Sequence, residues 1–69
     1  MMGNQIEATP LRMEKRQAVE ARTGLSTSLL YAEMARGRFP RPYRVGPKAV
    51  AWKAAEVDEW INSRVRAAA

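Results

Sequence analysis

The clearest hydrophobic pattern lies toward the C-terminal end of the chain. Val57, Trp60, Ile61 and Val65 recur at three- and four-residue spacing and predict an amphipathic helix over residues 53–66. Glu56, Asp58 and Glu59 fall in or near its first turn, Arg64 and Arg66 in its last, and both placements suit the helix dipole. No Ser, Thr, Asp or Asn precedes Glu56 to cap that helix, so a frayed start is expected. Residues 14–23 have helix-forming composition with a thin apolar set, Ala18, Val19 and Ala21. Gly24 stops that helix, Leu25 follows in the turn, and Ser26 caps a second helix predicted over residues 27–36. Leu30 and Met34 form its apolar stripe, flanked by Thr27 and Tyr31, while Ser28, Ala32, Ala35 and Arg36 make a small or polar opposite face. Gly37 ends it, and Pro40 and Pro42 forbid another nearby.

The period then changes. Tyr43 and Val45 alternate with Arg44, and Val50 and Trp52 alternate with Ala49 and Ala51 around the turn residues Gly46, Pro47 and Lys48. This reads as a hairpin, and two short strands must lie on helices to be stable in water. A short extended piece is expected over residues 11–13. The predicted order is helix, tight turn, helix, hairpin, helix: a mainly α fold with a small β-hairpin, in which a helix-turn-helix is followed by a wing. Residues 11–66 form the expected domain, with residues 1–10 a flexible lead and 67–69 a flexible tail.

Charge sharpens the picture. The 69 residues carry a formal charge of +5, which for so small a domain points to a polyanionic partner. The cations Arg36, Arg38, Arg41, Arg44, Lys48 and Lys53 follow one another with no acid between them, whereas the acids sit before and after. Such a one-sign middle is an electrostatic footprint rather than an even coat. A solvated charged face is the plainer alternative. Histidine and cysteine are both absent, which removes disulfides and the usual zinc ligands. No Gly-rich phosphate loop is present, so neither a cofactor, a metal, a small-molecule ligand nor an enzymatic activity is expected. The longest apolar run, residues 49–52, is far too short to span a bilayer, and the N-terminal stretch lacks a signal-peptide pattern. A soluble, cytoplasmic protein is the expectation.

The segment "EARTGLSTSLLYAEMARGRFPRPYRVGPKAVAWKAAEVDEWINSR" resembles the AlpA-type regulators of prophages and mobile elements. The resemblance rests on the order and spacing of "TGLS", the Leu30–Tyr31 pair, Met34, "GRFPRP", "VG", "AVAW" and "EVDEWI". It implies a MerR-like winged helix-turn-helix fold related to phage excisionases. It further implies a bacterial DNA-binding protein that regulates transcription or, alternatively, helps build an excision complex. The chain departs from the family pattern at Arg16, Thr27, Leu29, Ala32 and Ala55, which leaves its second helix poor in charge.

A winged helix-turn-helix sets its second helix in the major groove of double-stranded DNA, N-terminal part nearest the bases. On that reading Thr27 and Ser28 meet base edges or phosphates, and Tyr31 reaches a phosphate from the flank or stays half in the core. Ser26 is read as a cap. Leu29 stays unassigned between a thymine methyl, a neighbouring protomer and plain exposure. Arg36 and Arg38 straddle the helix end, one complementing the helix dipole and the other reaching phosphate, so that Arg36 joins Thr27, Ser28 and Tyr31 as a DNA contact of the second helix, and Arg38, Arg41, Arg44 and Lys48 line the junction and wing as phosphate contacts. Arg44 points outward if Tyr43 and Val45 point inward. Trp52 and Trp60 are expected in the core rather than stacking on bases, with Phe39 plugging the helix–wing junction. Self-association on DNA, contact with an integrase, a protein-interaction module with DNA secondary, and RNA binding stand as further readings.

Overall fold

A computed structural model describes residues 11–67; the expected lead and most of the expected tail lie outside the described residues. In chain order the elements are β1 (Met13–Glu14), α1 (Arg16–Thr23), α2 (Thr27–Ala35), β2 (Tyr43–Gly46), β3 (Ala49–Lys53) and α3 (Ala54–Asn62). The strands form one antiparallel sheet in the order β1-β3-β2. Among the described residues the architecture is three helices against a small sheet, a winged helix-turn-helix.

The turn between α1 and α2 forms as its residues dictate. Gly24 adopts the left-handed backbone at φ 77° and closes on the Glu20 carbonyl at 2.8 Å. The Thr23 hydroxyl donates to the Val19 carbonyl and accepts from the Leu25 N–H, so the turn's own polar groups are satisfied. Ser26 then caps α2, its hydroxyl accepting from Leu29 N–H at 3.1 Å. At the far end Gly37, at φ 73°, donates to Met34, and Arg38 N–H returns to Glu33. Those paired bonds are the Schellman arrangement, which turns the chain sharply out of α2.

Val19, Leu30, Met34, Phe39, Trp52 and Val57 make the core, with Leu25, Trp60 and Ile61 packed around it. Every helix, the sheet and the segment between α2 and β2 therefore contribute to one cluster. Phe39 meets the Trp60 ring edge-on at 5.0 Å between centroids. The two indoles also hold the backbone on either side of Phe39: Trp60 Nε1 donates to the Arg38 carbonyl and Trp52 Nε1 to the Pro40 carbonyl, each at 2.8 Å. The segment leading into the wing is thus pinned at three consecutive residues, and the expected plug is also an anchor.

The structure corrects the sequence reading in four places. Glu14 belongs to β1, not to the first helix, and its side chain is buried. The last helix starts at Ala54 and ends at Asn62, not at Arg66. Its start is not left open, because Ala54 N–H donates to the Arg12 carbonyl beside β1. At its end Arg64 folds back over the Trp60 ring and donates to the Trp60 carbonyl, satisfying an acceptor the helix would otherwise have continued through. Val65 consequently lies 91% exposed rather than on the apolar stripe.

The fourth correction concerns the hairpin. The register pairs Tyr43 with Ala51 and Arg44 with Val50. Paired residues share a face, so Arg44 lies on the face of Val50 and Trp52, and Tyr43 lies on the opposite one. Tyr43 and Val45 are not inward: both are exposed, as is Val50. The hairpin reaches past the core, so its apolar alternation does not mark burial there.

Candidate nucleic-acid interface

The first turn of α2 is open to solvent. Thr27, Ser28 and Leu29 are exposed, and so is Tyr31 one turn on, whereas Leu30 and Met34 face the core. The helix is therefore oriented as its stripe predicts, with about half of Tyr31 open to solvent. One feature was missed from the sequence. Thr27 Oγ1 donates to Glu20 Oε2 at 2.7 Å, and Arg16 Nε forms an ion pair with the same oxygen at 3.1 Å. Glu20 thereby ties the start of α1 to the start of α2. The Arg16–Glu20 half was legible as a pair four residues apart on one helix; the Thr27 half depends on how α2 crosses α1.

The basic segment divides once its neighbours are seen. Arg38 forks onto Glu33 with bonds of 3.0 and 3.1 Å, and Arg36 approaches the same carboxylate at 3.5 Å. The hydrogen bond and charge of Arg38, with Arg36 behind it, hold the Glu33 carboxyl below its ordinary range. The acid-free run of sequence is therefore not acid-free in space at its start. Arg41, Arg44 and Lys48 are exposed, and among the described residues none of them has a carboxylate partner. Arg44 Nη1 donates to the Pro47 carbonyl at 3.2 Å, bracing the wing turn while part of its guanidinium stays available.

The wing also runs beside the start of α1. β1 pairs antiparallel with β3, Glu14 opposite Trp52, so the chain leaving β1 at Lys15 passes along the residues that lead back to the wing turn. Arg44 sits on that same face of the sheet. Continuity follows from the wing turn, past Lys15 and Arg16, through Glu20 to Thr27. On the opposite face Lys53 lies over the Tyr43 ring at 4.6 Å, and the Tyr43 hydroxyl donates to Glu56 at 2.7 Å. That hydrogen bond to Glu56 raises the Tyr43 pKa above its ordinary value.

Behind the helix-turn-helix a second polar cluster holds the elements together. Glu14 accepts from Arg12 and Arg22, each at 2.9 Å, and Arg22 also reaches Asp58 at 2.7 Å. β1, α1 and α3 meet at this one guanidinium. Burial pushes the Glu14 carboxyl up, but the hydrogen bonds and charges of Arg12 and Arg22 outweigh it and leave the pKa below the ordinary value. Nothing in the local sequence marked Glu14 as buried, since its partners lie on other elements.

Residues 12–65 match the family model of the prophage CP4-57 regulatory protein (AlpA), which covers β1 through the end of α3. The chain belongs to the AlpA family. No curated protein and no solved structure gives a significant match to it. An AlpA-family chain is a phage-associated regulatory protein.

Proposed function

We propose that this AlpA-family protein binds double-stranded DNA sequence-specifically and regulates prophage or mobile-element transcription. The observation that supports the reading is the exposed first turn of α2, tied through Thr27 and Glu20 to Arg16, which lines one cleft with Lys48 of the wing. Thr27 and Ser28 reach base edges in the major groove, and Tyr31 contacts the flanking phosphate. Arg41, Arg44 and Lys48 grip the adjacent backbone or minor groove. Because α2 carries so little charge, the wing supplies most of the affinity and the helix most of the discrimination.

A salt titration on duplex DNA tests this. About four to six phosphate contacts give a slope of log affinity against log salt of roughly −4 to −5. A slope near zero rules the reading out. Footprinting with a bending assay separates a promoter-binding regulator from a factor that bends attachment-site DNA for excision.

A further inference from the structure

A cleft of about 310 Å³ opens between the start of α1 and the wing turn, lined by Lys15, Arg16, Gln17, Lys48, Ala49 and Val50. Its charged lining is three cations from two segments more than thirty residues apart in sequence. No acid is among the lining residues; Glu20 pairs with Arg16 and accepts from Thr27. Lys15 and Lys48 are exposed, and among the described residues neither meets a carboxylate. The pairing of β1 with β3 carries the chain at Lys15 alongside β3, and among the described residues Arg16 alone of the three cations has a carboxylate partner, Glu20.

We propose that this cleft is a phosphate notch: Lys15 and Lys48, with Arg16 behind them, take one backbone phosphate of the bound duplex between α1 and the wing. The proposal rests on the DNA-binding reading and adds a site to it, because α1 otherwise serves only as support for α2. An anion is the ligand this lining selects. Two ammonium groups and a guanidinium offer donors and no acceptor, and Gln17 adds an amide at the rim. The DNA backbone is the favoured source because Arg16 of the notch is joined through Glu20 to Thr27 in the first turn of α2. A phosphate held there fixes the angle between wing and probe helix, since its two clamps come from the two different parts. Arg16 can turn from Glu20 to the phosphate.

The test is a double-mutant cycle in the full chain, read by anisotropy of a labelled mixed-sequence duplex over a range of salt. Lys15→Ala and Lys48→Ala each weaken binding, and the pair together weakens it by less than the product of the two, because both serve one phosphate. The slope of log affinity against log salt becomes shallower by about one in either single variant and by little more in the double. Arg66→Ala removes the same charge at the exposed C-terminal end and serves as the control. Two results overturn the notch: independent losses whose factors simply multiply, or an equal loss in Arg66→Ala, which makes the effect one of net charge. If the wild-type slope is itself flat, the DNA-binding reading fails and the notch with it; if the wild-type slope is steep but unaltered by Lys15→Ala, the notch alone fails. Circular dichroism on each variant separates lost binding from lost folding, and Lys15→Gln and Lys48→Gln repeat the cycle if either alanine variant unfolds.

Discussion

Glu20 accepts a hydrogen bond from Thr27 across the turn of the helix-turn-helix, at 2.7 Å. The same carboxylate therefore holds the first hydroxyl of α2 and the Arg16 guanidinium at once. In the presence of a phosphate that carboxylate opposes binding by charge and competes for both donors. Glu20→Gln keeps a hydrogen-bonding group and removes the charge. The expected result is duplex affinity raised about fivefold at low salt, the order of one charge pair in a high dielectric. The gain shrinks as salt rises. A loss of affinity in anisotropy titrations would instead make Glu20 an organiser of Thr27.

The arginines of the basic segment should not behave alike. Arg36 and Arg38 share Glu33, whereas among the described residues Arg41 and Arg44 form no ion pair. Arg41→Ala and Arg44→Ala are expected to weaken all duplexes alike and to make the salt slope shallower by about one each. Arg38→Ala should change the slope less, because its charge is already matched. Ser28→Ala should leave the slope alone and narrow the ratio between preferred and unrelated duplexes. Equal slopes for Arg38→Ala and Arg44→Ala would show that Glu33 does not hold Arg38 in the complex.

Local chemistry made most of the fold readable. Gly24, Ser26 and Gly37 do what their backbone preferences and hydroxyl groups require, so the turn and both ends of α2 follow from sequence. The stripe of Leu30 and Met34 correctly turned Thr27 and Ser28 outward. What escaped were relations between elements. Alternation along β2 shows that Tyr43 and Arg44 point apart, but only the pairing with Ala51 and Val50 says which one shares the face of Trp52. Glu14, Glu20 and Glu33 were countable as acids, yet which cations they hold depends on crossings and turns. The candidate site was legible as a list of exposed cations and not as a geometry, and Lys15 and Arg16 join it only through the sheet register.

The two tryptophans should differ in what their N–H groups support. Trp52 is fully buried and bonds the Pro40 carbonyl, so Trp52→Phe both leaves a cavity and strands an acceptor. A loss of about 2–4 kcal/mol is expected, enough to unfold much of so small a domain at physiological temperature. Trp60 is half-buried, and Trp60→Phe should cost about 1 kcal/mol through the Arg38 bond. Denaturant unfolding followed by circular dichroism measures both. Equal losses would mean that burial of Trp52 adds nothing beyond its hydrogen bond.

Acid should loosen the molecule through Glu14. Its carboxyl is nearly inaccessible and is held by Arg12 and Arg22 below the ordinary value of 4.5. A depressed folded-state pKa means that the unfolded chain takes up the proton more readily. The resulting stabilisation is complete above about pH 4.5 and is lost as pH falls through the lower folded-state value. Glu33 titrates in the same direction, so the wild-type curve alone does not isolate Glu14. Glu14→Gln does: near neutral pH it should cost about 1–3 kcal/mol by leaving Arg22 with Asp58 as its remaining charged partner. That difference should shrink steadily as both proteins are taken into acid, because the wild-type carboxyl becomes as neutral as the amide. Urea unfolding of the two proteins across the acid range measures it. A gap that stays constant to the lowest pH would show that shape and hydrogen bonding, rather than the charge of Glu14, join β1, α1 and α3.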